Sequence, residues 1–171
     1  CLASDGDMQE GVSAEAGSLA GHQELGHLNV IYDANQISIE GDTDIAFSED
    51  VGARYRAYGW EVIDVDWRKT GDGNAYVEDV DALYAATQQA KKNTSAPTLI
   101  VLHTIIAWPA PTKQDTGASH GSALGEDEVA ATKELLGFDP KKSFAVEKAV
   151  LEHTRAVKKR GKAARKEWDK S

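Results

Sequence analysis

The chain has 171 residues, 41% of them apolar, and a formal net charge of −9 from 19 Lys and Arg against 28 Asp and Glu. That length suits one domain with a real core, and the acidic balance argues against nonspecific nucleic-acid binding by the body of the chain. A single cysteine, Cys1, excludes an internal disulfide and fits a reducing compartment, and no stretch reads as a membrane span or a signal peptide.

The opening Cys1-Leu2-Ala3 reads as the tail of a buried strand. With no initiator methionine before it, this start predicts a piece of a longer polypeptide, incomplete at its N-terminus. Apolar periodicity predicts a helix over residues 9–25, with Val12, Ala16 and Leu19 on one face and Gly26 as its stop. Residues 28–32 form a strand candidate, and 33–41 its loop. A short helix is predicted over 50–58, with Val51, Tyr55 and Tyr58 on one face and Gly59 ending it. A strand over 60–65 leads into a polar loop over 68–74.

The next helix spans 76–92 and carries Val77, Val80 and Tyr84. The apolar run Thr98-Leu99-Ile100-Val101-Leu102 predicts a strand covered on both faces, as in a parallel sheet. A loop over 107–125 is long enough to expect function or disorder. A helix over 126–136 ends at Gly137-Phe138-Asp139-Pro140, and Ser143 is read as the cap of a final helix to about Trp168. That last helix is strongly basic (Lys158, Lys159, Arg160, Lys162, Arg165, Lys166) but lacks interleaved aromatics, so a solvated helix is favoured over nucleic-acid or membrane-surface binding. Alternating strands and helices predict an α/β fold: a three-layer sandwich with a parallel sheet flanked by helices.

Two loops carry the chemistry. Ser4-Asp5-Gly6 follows the first strand, and Asp33-Ala34-Asn35-Gln36-Ile37 follows the second. Parallel strands place both at the carboxyl edge of one sheet, where open α/β folds bind ligands. Gly6 has no Cβ and lets a phosphate approach the backbone. Asp5 cannot neighbour a phosphate without a cation between them. The Asp5 carboxylate, the Asn35 amide oxygen and the Ile37 carbonyl form an all-oxygen set suited to Mg2+, with Ca2+ as the alternative. On the residues alone, an ordinary Asp-Gly turn stays open. So do a solvated surface role for His120, a satisfied buried position for His103, capping or surface positions for His22 and His27, core positions for Ile39 and Ile106, and a helix-dipole role for Glu10.

The words Asp5-Gly6-Asp7-Met8-Gln9-Glu10-Gly11, Tyr32-Asp33-Ala34-Asn35-Gln36-Ile37-Ser38-Ile39-Glu40-Gly41, Arg54-Tyr55-Arg56-Ala57-Tyr58-Gly59-Trp60 and Asp115-Thr116-Gly117-Ala118-Ser119-His120-Gly121 resemble the transketolase family in order. The stretch Ile105-Ile106-Ala107-Trp108-Pro109-Ala110-Pro111 is similar to its actinobacterial variety. The resemblance implies the thiamine-diphosphate-binding fold, with residues 1–142 as the C-terminal part of the diphosphate-binding (PP) domain. Residues 143–171 would be a basic helix leading to the inter-domain connection.

The resemblance also implies roles. Asp5, Asn35 and the Ile37 backbone oxygen would hold the metal. Gly6 would lie against the diphosphate of thiamine diphosphate, and Ile39 and Ile106 on its rings. His120 would be the catalytic residue, facing both cofactor and sugar. Imidazole suits such a role because it exchanges protons near neutral pH. Glu10 would join a carboxylate network near the cofactor at a homodimer interface.

The implied activity is transfer of a two-carbon ketol unit between sugar phosphates, in the cytoplasm and the pentose phosphate pathway. No nucleic acid or membrane is implied. The pyrimidine-binding domain is missing from this segment, so the segment alone is expected to be inactive. Ser4 departs from the family's usual Gly and is tolerable there with a negative φ. Rival readings are another thiamine-diphosphate enzyme (a 2-oxo-acid dehydrogenase component or deoxyxylulose-phosphate synthase) and a non-catalytic half that only binds a partner subunit.

Overall fold

A computed structural model describes residues 1–69, 71 and 75–171. Among the described residues, the main sheet has four parallel strands: β1 (Leu2–Ser4), β2 (Asn29–Ala34), β5 (Glu61–Asp66) and β6 (Thr98–His103), in the order β1-β2-β6-β5. A small antiparallel hairpin, β3 (Ile37–Ser38) with β4 (Gly41–Asp42), lies within the predicted 33–41 loop.

Strand β6 shows why the sheet is buried on both faces. Successive side chains on a strand point to opposite sides. Leu99 and Val101 join one core with Met8, Ala20, Tyr32, Val51, Tyr55 and Trp60. Ile100 and Leu102 join another with Val65, Ala86 and Ala90. The first core packs helices α1 (Asp5–Gln9), α2 (Gly11–His22) and α3 (Val51–Ala57) on one face; the second packs α4 (Val80–Lys92) on the other. The expected three-layer sandwich is therefore present. An uninterrupted apolar run is the signature of a strand sandwiched in this way.

Three of the predicted helices need correction. The helix expected over 9–25 starts at Asp5, breaks at Glu10, whose backbone is extended, and ends at His22. Its predicted apolar face is outward: Val12 is 67% and Leu19 55% exposed. The inward residues are the small Gly17 and Ala20. They let the helix backbone pack closely: Trp60 Nε1–H donates to the Gly17 carbonyl at 2.8 Å, and a Cβ on the adjacent Gly21 would overlap the main-chain carbonyl of Tyr58. Periodicity found a real stripe, but close backbone packing selected the other one.

The same happened at α4. It starts at Val80, not Tyr76, and buries Ala86 and Ala90 while Val80 and Tyr84 stay exposed. The Asp79 carboxylate caps it by accepting from the Ala82 N–H at 2.8 Å. The final helix is two helices, α6 (Lys148–Arg155) and α7 (Val157–Trp168), meeting at Ala156, and Ser143 caps neither. His103, expected to be buried, ends β6 half-exposed with Nε2 3.9 Å from Asp64 Oδ1. Of the predicted 68–74 loop, residues 70 and 72–74 lie outside the described residues; its start belongs to a 3-10 turn, Trp67–Lys69.

Candidate functional site

Because the four strands are parallel, their carboxyl ends meet at one edge. The register pairs Ser4 with Asp33, Ala34 with His103 and Asp66 with His103. The next residues along each strand, Asp5, Asn35, Trp67 and Thr104, therefore gather there.

Asp5 is buried at 2% exposure, and its carboxylate is the hub. Oδ1 accepts from Tyr32 Oη–H at 2.7 Å. Oδ2 accepts from the Asn35 N–H at 3.1 Å and the Gln36 N–H at 3.0 Å. Burial and the Asp5 bond push the Tyr32 hydroxyl well above its ordinary range, so it remains a donor. A carboxylate has about four lone-pair sites. Three hydrogen bonds leave room for one further positive partner.

Asn35 is also buried; its Oδ1 accepts from the Ile37 N–H at 3.0 Å, an Asx-type turn that brings the amide oxygen beside Ile37. Asp33 accepts from Thr104 Oγ1–H and lies 3.5 Å from Asn35 Nδ2. Ser4 has φ −119°, inside the range any residue adopts, and both its N–H and Oγ–H bond Asp7 Oδ2. Ser in place of Gly therefore braces the first loop without backbone strain.

The expected cation set is one carboxylate (Asp5), one amide oxygen (Asn35) and one main-chain carbonyl (Ile37); the structure places Asp5 and Asn35 together at this edge, with Ile37 next in the turn. Among the described residues no three His, Cys, Asp or Glu side chains cluster. Hard oxygen donors of low total charge fit Mg2+ that shares its remaining positions with phosphate oxygens and water. A Cβ on Gly6 would meet Ser38 Oγ at 3.5 Å, an ordinary contact. The protein's own packing therefore does not demand Gly at position 6.

The second half of the site is the 107–125 segment, which is organised rather than loose. The Ile106 carbonyl accepts from the Asp115 N–H at 3.0 Å. A 3-10 turn, Gly117–Ser119, presses against the β3–β4 hairpin so closely that a Cβ on Gly117 would overlap the Glu40 carbonyl. This docking sets His120 beside Ile39 in an open groove of about 400 Å³, lined also by Glu40, Gly117, Ala118 and Ser122. Ile39 is 71% exposed with φ +56°. A β-branched residue in the left-handed region costs about 1–3 kcal/mol and is typical of ligand clamps. Ile106 is half-buried, and Glu10 is exposed at the α1–α2 break.

Glu128 of α5 (Glu126–Leu135) anchors the same segment, accepting from the Thr112 N–H, Thr112 Oγ1–H and the Lys113 N–H at 2.7–3.0 Å. The Thr112 N–H bond, ahead of the other contacts, holds its carboxyl below the ordinary glutamate range. A depressed folded pKa contributes stability above the unfolded pKa, and that contribution is lost as pH falls through the folded value. Amide protection at Thr112 and Lys113 is expected to persist at pH 5 and to fall below the usual glutamate range. Hydrogen-exchange NMR should show this in the wild type, whereas Glu128→Gln should give weak protection at every pH.

The family model for the thiamine diphosphate binding domain of transketolase matches residues 1–171. The chain belongs to the transketolase family. It is 54% identical over 167 residues to the transketolase of Mycobacterium leprae and 46% identical over 169 residues to that of a Nostoc species, covering 98% of this chain in each case. It covers only 23% and 24% of those relatives, so the chain spans about a quarter of the length of the transketolases it matches.

A crystal structure of Campylobacter jejuni transketolase superposes with a TM-score of 0.86 at 40% identity, over 99% of this chain and 25% of that one. A Pichia stipitis transketolase complexed with sedoheptulose 7-phosphate superposes with a TM-score of 0.85 at 39% identity, over 99% and 24%. The fold described above is thus a transketolase fold. Among the described residues no helix is long and apolar enough to cross a membrane.

Sequence reasoning brought forward Asp5, Gly6, Asn35, Ile37, Ile39 and His120; the first five lie along one sheet edge and its hairpin, and His120 on the segment docked against that hairpin. It missed the braces Tyr32, Asp33, Thr104, Arg68 and Asp115. One signal was present for Arg68: it follows the third predicted strand, so a parallel sheet sends it to the same edge.

Proposed function

We propose that the full-length protein containing this chain is a transketolase, moving a two-carbon ketol unit from a ketose phosphate to an aldose phosphate. The observation that carries this reading is the Asp5 carboxylate gripping the Asn35–Gln36 turn at the sheet edge, in a chain of this family. Asp5, Asn35 and the Ile37 carbonyl would hold Mg2+, with Ca2+ as substitute, and Gly6 would admit the diphosphate of thiamine diphosphate. Ile39 and Ile106 would pack on the cofactor's rings. The cofactor, when bound, supplies the chemistry that breaks and makes the carbon–carbon bond.

His120, exposed in the groove beside Ile39, would hold or move protons at the sugar's oxygens. Residues 1–142 would serve as part of the PP domain, and 143–171 as the basic lead into the connection to the pyrimidine-binding domain. The outward Val12 and Leu19 of α2, next to Glu10, favour a homodimer contact, since exposed large apolar side chains gathered on one helix face mark interaction surfaces. A cytoplasmic location fits the single cysteine.

The test is an assay of the full-length protein with thiamine diphosphate and Mg2+. Ketol transfer from xylulose 5-phosphate to ribose 5-phosphate is the expected result. Decarboxylation of pyruvate without ketol transfer would select the rival thiamine-enzyme reading, and cofactor binding without either activity the non-catalytic one.

A further inference from the structure

The geometry points to Arg68 as a positioning residue that locks the cofactor-holding turn to the His120 segment; this rests on the transketolase reading above. Arg68 sits in the 3-10 turn directly after β5, at the edge of the sheet furthest from β1. Its side chain reaches across the end of β6. Nε–H donates to the Thr104 carbonyl at 2.7 Å. One terminal nitrogen donates to Gln36 Oε1 at 3.2 Å. The other donates to the Asn35 carbonyl at 3.3 Å and to Asp115 Oδ1 at 2.6 Å. Three separate segments thus end on one planar group.

The count of donors decides between two roles. A guanidinium has five N–H bonds, and four are taken here by protein oxygens. An arginine built to grip a sugar phosphate presents its fork to the ligand. This one is spent inward and is only 26% exposed. Its own base is also fixed: the Arg68 N–H donates to Asp66 Oδ1 at 2.9 Å, and the neighbouring Trp67 Nε1–H donates to the Asp79 carbonyl at 2.9 Å.

The consequences run to both halves of the site. Asn35 and Gln36 form the turn whose N–H groups bind Asp5, and the Asn35 amide oxygen with the following Ile37 carbonyl would supply the cation donors. Asp115 opens the segment that carries Gly117 and His120, and it adopts φ +56°, tied by its N–H to Ile106. Arg68 therefore sets the spacing between the metal turn and the His120 segment through bonds to protein oxygens. Lysine cannot replace it, because one ammonium presents three donors from a single point and cannot reach four oxygens on three segments.

The test uses the full-length protein and its Arg68→Met, Arg68→Lys and Asp115→Asn variants. Asn tolerates the left-handed backbone at 115, so this last change removes charge with little strain. The readouts are the Mg2+ concentration that half-saturates thiamine diphosphate binding, followed by tryptophan fluorescence, and hydrogen exchange over residues 116–121. Loss of outer partners of a metal site costs about 10–100-fold in metal affinity. Arg68→Met is expected to raise the half-saturating Mg2+ by about that factor, with faster exchange over 116–121. Arg68→Lys should recover part of the loss, and Asp115→Asn should reproduce the faster exchange. If Arg68→Met fails to fold, Asp115→Asn decides alone.

Wild-type half-saturation and exchange in the folded variants, even with a lowered melting temperature, would overturn the positioning role. A wild-type protein that binds no thiamine diphosphate with Mg2+ would instead overturn the underlying transketolase reading, and this role with it.

Discussion

Asp5→Ala in the full-length protein is expected to abolish Mg2+-dependent retention of thiamine diphosphate. The carboxylate is the one charged donor in the proposed cation set, and it also holds the turn that supplies the other donors, through the Asn35 and Gln36 N–H groups. Its removal leaves the buried Asn35 N–H and Tyr32 hydroxyl, and the part-buried Gln36 N–H, without their acceptor. Each orphaned buried donor costs about 1–3 kcal/mol, so stability should fall as well.

Asp5→Asn separates the two effects. It keeps the side-chain volume and one accepting oxygen while removing the charge, so it should retain more stability yet lose the cation. Calorimetric titration of thiamine diphosphate with and without Mg2+, alongside thermal melts, reads both quantities. Undiminished, Mg2+-dependent binding in a folded Asp5→Asn protein would remove Asp5 from the metal site.

The second large effect belongs to His120. It is exposed in the groove beside Ile39, and its backbone N–H bonds the Gly117 carbonyl at 3.0 Å. Truncating an exposed side chain should leave the backbone turn and the fold intact. Positioned proton transfer contributes about 10²–10⁴-fold to rate, so His120→Ala should lower kcat within that range with the melting temperature unchanged. Steady-state kinetics with xylulose 5-phosphate and ribose 5-phosphate provide the check. Wild-type turnover in the variant would place His120 outside the chemistry.

Much of the site was legible because its residues are contiguous words tied to strand ends. Asp5-Gly6 and Asn35-Gln36-Ile37 each follow a recognisable apolar run, and a parallel sheet sends both to one edge. The braces were not legible. Tyr32 reads as one more strand residue, and nothing in its neighbours announces that its hydroxyl meets Asp5 27 residues away. Arg68 and Asp115 are 47 positions apart and lie in different loops, so only the crossing of β6 brings them together.

The helices failed for a different reason. Hydrophobic periodicity ranks faces by side-chain size, yet α2 and α4 turn Gly17, Ala20, Ala86 and Ala90 inward. The aromatic Tyr55 and Trp60 already fill the space on the α2 side, so a small-residue face is what fits there. Large side chains such as Val12, Leu19 and Tyr84 are left outward, where the pattern alone had placed the core.

From its residues alone, this chain determined a parallel α/β sheet, because a strand at 98–102 apolar on both faces, set among alternating strands and helices, needs helices covering both sides. It also determined which two loops carry oxygen donors, because local turn chemistry is written in adjacent residues. The tertiary structure decided which helix face is buried, how Ser4 and Tyr32 brace the Asp5 loop, and how Arg68 ties three segments. Those outcomes depend on contacts between residues far apart in the chain, whose free energy exists only once the sheet has brought its carboxyl ends together.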